Sequence, residues 1–432
     1  MPAPIRFGTD GLRGPAHAWP LDADGARTVG LGLARQLQPA HPAAPARVLL
    51  GRDTRESGPL LVAALAEGLA AGGAAPIDAG VLPTAGLSAL CVARGAAAAL
   101  MVTASHNPWT DNGVKVLGPD GRKYDHAAAL EAIFDALLGQ GGPPAAAGAA
   151  PVVVVDPDPL GPWRDALPWP RLDGLRLLLD AAHGAAWSCA PAALEARGAT
   201  VVRRGCAPTG RDINAGVGAL HPPSPAEVRA AGCALAICLD GDADRVVLVD
   251  PVAGQLDGDD LLWLLCRDSG APVGGTIMCN GGLEAALGGR LRRSAVGDQP
   301  LWREMVASGA PVGAEPSGHV LFTDGMPTGD GLYAALRVLA AVAGPGGAPR
   351  LPLPVGGWTR WAQASRTLPA GRRPPLSALA SVAAAEAAGM RTVVRYSGTE
   401  PILRVQVEGP QAPEPWAEAI AAEFLRLAAE GT

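Results

Sequence analysis

One pattern recurs along most of the chain: a short apolar run of strand length, a polar turn, and then a segment with helical spacing. Arg47–Gly51 (RVLLG) is the first clear case, and the helical pattern Pro59–Ala71 follows it. Leu175–Asp180 (LRLLLD) and Leu235–Leu239 (LAICL) repeat the apolar run further along. Because strands that alternate with helices form parallel layers, the pattern predicts an α/β fold.

The pattern restarts several times, which indicates more than one domain in a chain of 432 residues. Gly139–Pro151 has the composition of a linker, and the Pro/Gly-rich stretch Gly344–Pro354 is a second break. Further predicted strands are Ala96–Thr103, Val114–Leu117, Thr200–Arg203 and Gly275–Cys279, and further predicted helices are His126–Leu138, Cys189–Arg197, Asp259–Arg267, Leu283–Leu291 and Asp330–Val342. We therefore predict three similar mixed α/β domains, residues 1–145, 146–252 and 253–345, and a smaller C-terminal α+β domain, residues 346–432.

Charge and composition exclude two classes of partner. The formal net charge of −6 is mild for a chain of this size and argues against a nucleic-acid surface. No run approaches the roughly 20 apolar residues that a membrane helix needs, and the start MPAPIRFGTDG lacks the apolar core of a signal peptide. Seven scattered cysteines without a CxxC pair are typical of reduced thiols. We expect a cytoplasmic protein without a nucleic-acid or membrane partner.

The sharpest local signal is DGDADR, which directly follows the apolar run LAICL. Its carboxylates, Asp240, Asp242 and Asp244, stand at alternate positions and can converge on one hard cation such as Mg²⁺. An EF-hand loop is excluded, because its sixth and twelfth positions would be Arg245 and Pro251 instead of glycine and glutamate. An aspartyl-phosphate nucleophile and a solvated acidic turn stay open as alternatives, and metal ligation is the favoured interpretation.

TASHNP places Ser105 beside His106 on a turn after another predicted strand. The pair does not form a nucleophile elbow, because the glycines of GxSxG are missing, and most such neighbours are only turn residues. A serine that carries phosphate would need a nearby cation, which DGDADR could hold. Lys115 is one of only two lysines, and a desolvated lysine can lose its proton near neutral pH where arginine cannot.

RYSGTEP, together with Arg404, has the composition of an anion-binding loop. Ser397 and Thr399 offer hydroxyls, and Gly398 lets a backbone N–H approach a ligand closely. Arg395 and Arg404 can form charge-assisted hydrogen bonds. A glycine turn between two strands with surface arginines is an equally good interpretation of this segment alone.

GAEPSGH places Glu315, Ser317 and His319 on one short loop bounded by glycines. Such a loop can hydrogen-bond sugar hydroxyls, with His319 as a proton carrier. A purely structural loop is an equally good interpretation of the segment by itself.

In this order, these segments resemble the α-D-phosphohexomutase superfamily. FGTDGLRG at the start, TASHNP with DNGVK, DGDADR, GAEPSGH and RYSGTEP together span nearly the whole chain. The resemblance implies four domains around a central cleft, each contributing one loop. Through FGTDGLRG, VGD, PTGDG and SGTEPILRVQVEG the sequence is more similar to the phosphoglucosamine mutase branch than to phosphomannomutases. Ala243, Gln299 and Pro316 depart from the residues usual in that branch.

The resemblance also implies a role for each matching residue. The phosphoryl carrier would be Ser105. One Mg²⁺ per chain would be held by Ser105, Asp240, Asp242 and Asp244. The other catalytic residues would be Arg13 and Arg245, close to the transferring group, and the acid/base candidates Lys115 and His319. Sugar hydroxyls would be bound by Glu315 and Ser317, and the non-reacting phosphate by Arg395, Ser397, Gly398, Thr399 and Arg404.

The activity so implied interconverts glucosamine 6-phosphate and glucosamine 1-phosphate through phospho-Ser105 and a bound 1,6-bisphosphate. A phosphomannomutase or phosphoglucomutase with the same mechanism is the alternative. Glucosamine or glucose 1,6-bisphosphate would be the activator, and the substrate a small phosphosugar. We expect a monomer or a homodimer.

Overall fold

The computed structural model describes residues 3–8, 11–41, 44–124, 127–139, 153–344, 347–397 and 401–429. Within these residues the chain forms four β-sheets with helices packed between and around them. Three sheets carry mixed or parallel strands, and the last is a small antiparallel sheet with its own helices. This architecture confirms the predicted α/β fold class with a smaller C-terminal α+β unit.

The first sheet has the strand order β1-β5-β4-β2-β3-β6. Its strands are β1 (Leu12–Pro15), β2 (Arg47–Arg52), β3 (Ala75–Val81), β4 (Ala98–Val102), β5 (Asp111–Leu117) and β6 (Val154–Val155), and its helices are α1 (Ala23–Leu37), α2 (Gly58–Ala71), α3 (Thr84–Arg94) and α4 (Ala127–Gly139). Val48 and Leu50 pack into one apolar cluster and Leu49 into another, because successive side chains of a strand point to opposite faces. β2 and β4 are parallel neighbours, so the polar turns that follow them lie at the same edge.

The second sheet has the order β11-β10-β9-β7-β8. Its strands are β7 (Arg176–Asp180), β8 (Thr200–Arg204), β9 (Leu235–Leu239), β10 (Val246–Asp250) and β11 (Gly254–Leu256), and nearby helices are α5 (Gly161–Ala166), α6 (Cys189–Glu195) and α7 (Pro225–Ala230). β9 and β10 are antiparallel, with Leu239 opposite Val246, so the residues between them form a tight connection at the end of β9. DGDADR is that connection.

The third sheet has the order β13-β12-β14-β15 and the fourth β16-β18-β17. The third contains β12 (Val273–Thr276), β13 (Leu291–Ser294), β14 (Val312–Ala314) and β15 (Val320–Phe322), with helices α8 (Gly258–Cys266), α9 (Gly281–Ala286), α10 (Asp298–Ser308) and α11 (Gly331–Ala341). The fourth contains β16 (Ala362–Pro369), β17 (Arg391–Tyr396) and β18 (Ile402–Gly409), with α12 (Ala380–Ala387) and α13 (Glu414–Ala429). The second and third sheets share one apolar cluster, whereas the fourth has its own.

Two predicted elements differ from the structure. The strand predicted at Gly275–Cys279 is β12, which ends at Thr276, and the helix predicted at Leu283–Leu291 is α9, which ends at Ala286. The side-chain oxygen of Asn280 accepts a hydrogen bond from the N–H of the second helical residue at 2.9 Å, which begins α9 early. The helix ends before Leu291, which begins β13, because Gly288 and Gly289 have left-handed φ values of 61° and 78°. Most of the predicted linker Gly139–Pro151 lies outside the described residues.

The predicted domain boundaries stay predictions. The first sheet takes β6 from beyond the boundary drawn at 145/146, and the second sheet takes β11 from beyond the one at 252/253. All seven cysteines are free thiols, and five of them are buried. Within the described ranges, every helix is too short or too polar to cross a lipid bilayer.

Candidate active site

The serine turn follows β4, and Ser105 itself is fully buried. Ser105 has a left-handed backbone with φ of 51°, which is uncommon for a residue with a side chain. Its N–H donates to Oγ1 of Thr103 at 2.9 Å, and Asn107 N–H donates to the carbonyl of Ala104 at 3.1 Å. The hydroxyl Oγ of Ser105 donates to Oδ2 of Asp240 at 2.7 Å. The structure therefore brings TASHNP and DGDADR together, although they come from different sheets.

The acidic loop gathers three carboxylates at the end of β9. Asp240, Asp242 and Asp244 are each at most 4% exposed, and one oxygen from each lies within 4.8 Å of the others. Ala243 between them has φ of 59°, the left-handed conformation that glycine adopts without strain.

The electrostatics of the loop favour a bound cation. Burial, followed by the negative charges of Asp244 and Asp242, raises the pKa of Asp240 to about 8. Lys115 Nζ offsets part of the negative charge, donating at 2.7 Å to Asp242 and at 2.7 Å to Asp244. Oδ1 of Asp242 is buried and accepts no hydrogen bond from the described residues. Three buried carboxylates with an unused oxygen are a donor set that fits Mg²⁺.

The first sheet also supports this loop from the N-terminus of α3. Thr84 donates from its hydroxyl to Oδ2 of Asp242, and its backbone N–H donates to the carbonyl of Asp242 at 3.1 Å. The positive end of the helix dipole therefore lies beside a buried carboxylate, which stabilises its charged form.

His319 approaches the acidic loop from the turn between β14 and β15. Its Nδ1 lies 4.0 Å from Oδ1 of Asp244, and its Nε2 lies 3.6 Å from Oδ1 of Asp298. Burial lowers the pKa of His319, but the charges of Asp298, Asp244 and Glu315 outweigh it, and the net pKa is raised. His319 also forms a β-bridge with Arg245. The imidazole therefore holds a proton more firmly than a free histidine does.

Two arginines supply positive charge beside the serine turn. Burial, and then the charges of Arg245 and Arg13, lower the pKa of His106 to about 4. Arg13 lies on β1, whose partner β5 also carries Lys115. The structure thus collects Ser105, the three aspartates and these cationic side chains in one place.

Glu315 and Ser317 lie on the tight turn that precedes His319. The carboxylate of Glu315 accepts a hydrogen bond from Gly297 N–H at 2.8 Å, and its other oxygen is 3.4 Å from Oγ of Ser317. The backbone at this turn is closely packed, because a Cβ on Gly258 would lie 1.9 Å from the carbonyl oxygen of Glu315. The predicted sugar-binding residues are therefore held beside His319, by the VGD segment and by the start of α8.

The predicted phosphate-binding residues form a second group on the C-terminal sheet. Arg395 of β17 lies directly opposite Arg404 of β18, so both side chains lie on the same face. They line a cavity of about 170 Å³ together with Met278 of the preceding unit. Ser397 is buried and its N–H donates to the carbonyl of Ile402 at 2.9 Å. Gly398 and Thr399 lie outside the described residues.

Several residues that contact the site were not predicted as site residues from the sequence. Besides Thr84 and Asp298, the buried ion pair of Asp53 with Arg55 and the amide of Asn214 touch the serine turn. A signal for Asp53 and Arg55 exists, since GRDTR follows β2 just as TASHNP follows β4. Asn214 carries no such signal, because it lies on a long loop of the second unit.

The sequence is similar to known protein families and proteins. Three family models match: phosphoglucomutase/phosphomannomutase alpha/beta/alpha domain I over residues 4–138, alpha/beta/alpha domain III over 257–350, and the C-terminal domain over 370–427. A phosphoglucosamine mutase of Rhodospirillum rubrum is 39% identical over 434 residues, covering 93% of this chain and 94% of that protein. One from Cereibacter sphaeroides is 38% identical over 430 residues, with coverage of 93% and 94%.

Solved structures show the same fold. A phosphoglucomutase/phosphomannomutase family protein from Burkholderia thailandensis has a TM-score of 0.73 at 24% identity, covering 98% of both chains. An N-acetylphosphoglucosamine mutase of Aspergillus fumigatus, solved with GlcNAc-6P and magnesium, has a TM-score of 0.61 at 17% identity, covering 100% of this chain and 96% of that one. The chain belongs to the phosphoglucomutase/phosphomannomutase family of phosphohexomutases.

Proposed function

We propose that the chain is a phosphoglucosamine mutase, which interconverts glucosamine 6-phosphate and glucosamine 1-phosphate through phosphorylated Ser105. The observation that carries the proposal is the 2.7 Å hydrogen bond between Ser105 Oγ and Asp240, inside a buried loop of three carboxylates. The Ser105 hydroxyl therefore lies next to carboxylates that can bind a cation, and that cation would contact a phosphate on Ser105. The curated relatives named above support glucosamine phosphate as the sugar.

We infer that Asp240, Asp242 and Asp244 hold one Mg²⁺ per chain, together with the phosphate on Ser105. A bound Mg²⁺ would supply neutralisation of the negative charge on the phosphoryl oxygens. The buried carboxylates support this inference, as does Oδ1 of Asp242, which accepts no hydrogen bond within the part of the chain that the structure describes. Arg13 and Arg245 would contribute further positive charge on the same side of the serine turn.

Phosphoryl transfer needs alignment and charge neutralisation more than covalent chemistry from the protein. In the first step the sugar hydroxyl oxygen would form a bond to phosphorus while the bond from phosphorus to Ser105 Oγ breaks. The hydroxyl proton passes to a base on the enzyme, and Ser105 Oγ receives a proton. His319 and Lys115 are the candidates for these two transfers. The raised pKa of His319 keeps it protonated to a greater extent than a free histidine, so that it can supply a proton.

The second step reverses the first with the other phosphate of the 1,6-bisphosphate. The intermediate must turn around, so the site has to accept a phosphate at either end of the sugar. We assign the distant phosphate to Arg395, Arg404, Ser397, Gly398 and Thr399, and the sugar hydroxyls to Glu315 and Ser317. Binding of the distant phosphate would orient the reacting end. Free glucosamine or glucose 1,6-bisphosphate would then serve as activator by phosphorylating Ser105.

Ser105→Ala tests the nucleophile. We expect loss of turnover, and loss of the single phosphate that intact-mass analysis and peptide mapping should find on the wild-type protein. Ser308→Ala, which removes a hydroxyl at the end of α10, is the matched control and should retain full activity and the phosphate. Full turnover by the Ser105→Ala enzyme would contradict the proposal. Phosphate mapped to Asp240 would favour the aspartyl-phosphate alternative.

The sugar is tested separately from the mechanism. Catalytic efficiency should be highest on glucosamine 6-phosphate; a higher value on mannose 1-phosphate or glucose 1-phosphate would point to a phosphomannomutase or phosphoglucomutase. We further propose a cytoplasmic location, which the seven free thiols support. A monomer or homodimer is the expected assembly, and light scattering measures it directly.

A further inference from the structure

The main-chain carbonyl of Ser105 accepts hydrogen bonds from two buried side chains that come from different units of the fold. Arg55, after β2 of the first sheet, donates from Nη2 at 3.0 Å. Asn214, on a loop of the second unit, donates from Nδ2 at 2.9 Å. Two donors therefore saturate the carbonyl of the residue that we propose as nucleophile.

Arg55 secures the turn from within its own sheet. Its guanidinium also donates to the carbonyls of Asn107 at 2.8 Å and Asp111 at 2.9 Å, and to that of Pro108. Asp53 balances its charge through an ion pair at 2.9 Å, and both side chains are fully buried. One buried cation thus holds the carbonyls of the whole serine turn. It does not connect that turn to the acidic loop.

Asn214 holds the backbone of the turn to the second unit, beside the bond that Ser105 Oγ makes with Asp240. Its amide also donates to the carbonyl of Asn107 at 3.1 Å, and its own N–H donates to the carbonyl of Ala182, just after β7 of the second sheet. The acidic loop packs against the same carbonyl, because a Cβ on Gly241 would lie 2.4 Å from the oxygen of Ser105. Asn214 therefore ties the serine turn to the unit that carries the three aspartates.

We propose that Asn214 is a positioning residue for phosphoryl transfer, a role that rests on the function proposed above. By holding the carbonyl of Ser105 against the second unit, it keeps the left-handed backbone of Ser105 in place and aims Oγ at Asp240. Without the amide, the serine turn keeps its Arg55 contacts and the Ser105–Asp240 hydrogen bond, but it loses the side-chain contact that holds its backbone to the second unit. A shift of the order of 1 Å between reacting groups lowers rates by about 100-fold.

Asn214→Gly is the informative variant, because Asn214 has φ of 60° and glycine adopts that conformation without strain. We expect kcat to fall about 10- to 100-fold, while KM for the phosphosugar changes less than about threefold. Phosphorylation of Ser105 by the 1,6-bisphosphate, followed by intact mass, should slow by the same factor. Asn214→Asp keeps the shape of the side chain and replaces the hydrogen-bond donor by an acceptor. The kcat of this variant should therefore fall at least as far.

Arg211→Ala is the matched control. Arg211 donates to Glu56 at 2.8 Å through each of two nitrogens and so joins the same two units, but the pair is exposed and does not touch Ser105. Its kcat should stay within about twofold of wild type, because exposed ion pairs contribute about 1 kcal/mol or less. A kcat of Asn214→Gly equal to wild type, or an equal loss in Arg211→Ala, overturns the positioning role. Absence of phosphate on wild-type Ser105 would overturn the proposed function instead.

Discussion

Replacing Asp240 by asparagine should make the metal-free protein more stable and, at the same time, inactive. Burial and the charges of Asp244 and Asp242 raise the pKa of Asp240 from 3.8 to about 8. In the unfolded chain these influences are gone, and the carboxyl titrates near its ordinary value. Ionising Asp240 at neutral pH is therefore unfavourable in the folded state, and an uncharged amide removes that penalty.

The sign and size of the effect follow from proton linkage. The folded state binds the proton of Asp240 more tightly than the unfolded state does. The contribution of Asp240 to the free energy of unfolding is therefore highest below pH 4. It falls by up to about 1.4 kcal/mol per pH unit until about pH 8. At pH 7 the accumulated loss is about 4 kcal/mol. Asparagine keeps an oxygen for the Arg245 N–H but places an NH2 opposite Ser105 Oγ, where a carboxylate oxygen accepts in the wild type. That exchange forfeits about 1 kcal/mol, so we expect a net gain of about 3 kcal/mol.

Urea unfolding at pH 5 and pH 8 in the presence of a chelator measures this directly. The wild-type free energy of unfolding should fall between the two pH values, and that of Asp240→Asn should fall less. Excess Mg²⁺ should raise the wild-type value at pH 8 and leave the variant nearly unchanged, because a ligand that binds only the folded state stabilises it. An Asp240→Asn protein that is less stable than wild type at pH 8 with chelator would refute the reasoning.

Two further changes test other parts of the molecule. Arg395→Ala should raise KM for the phosphosugar at least tenfold and change kcat less, because a charge-assisted hydrogen bond to phosphate contributes about 1.5–3 kcal/mol. Steady-state kinetics measures both constants. An unchanged KM would show that Arg395 does not bind the phosphate. Gly258→Ala should lower both the thermal unfolding midpoint and the activity, because the new Cβ would lie 1.9 Å from the Glu315 carbonyl oxygen. Gly270→Ala is the control. Gly270 has open space around it, so this variant should change neither quantity.

The fold could be predicted where strands are long enough to show a pattern. β2, β7 and β9 are apolar runs of five or six residues, and each was expected within about one residue of its observed bounds. The third sheet was harder, because its strands have three or four residues and β12 contains two adjacent glycines, Gly274 and Gly275. A segment that short has no alternation to detect, and only pairing with neighbouring strands defines it.

The sequence predicts which residues form the site better than it predicts which of them are in contact. Motifs that follow strands placed Ser105 and Asp240 among the candidates, and their contact spans 135 residues of sequence. The resemblance to a known family implied the contact between these two motifs. The residues by themselves left the aspartyl-phosphate alternative open. Asn214 was not predicted as a site residue for a physical reason: its proposed role depends on a contact between its amide and a carbonyl 109 residues away, and no local pattern encodes such a contact.

The same residues that carry the chemistry are the ones that violate local rules of stability. Ser105 and Ala243 have left-handed backbones without being glycine, and Asp240 is a buried acid beside two others. Each such feature is unfavourable by itself, of the order of 1–3 kcal/mol for the backbone strain alone, and persists only because surrounding contacts hold it. Arg55, Asn214, Thr84 and Lys115 are those contacts. A cation bound by the three aspartates would offset the unbalanced negative charge, so the charge distribution of the site favours binding.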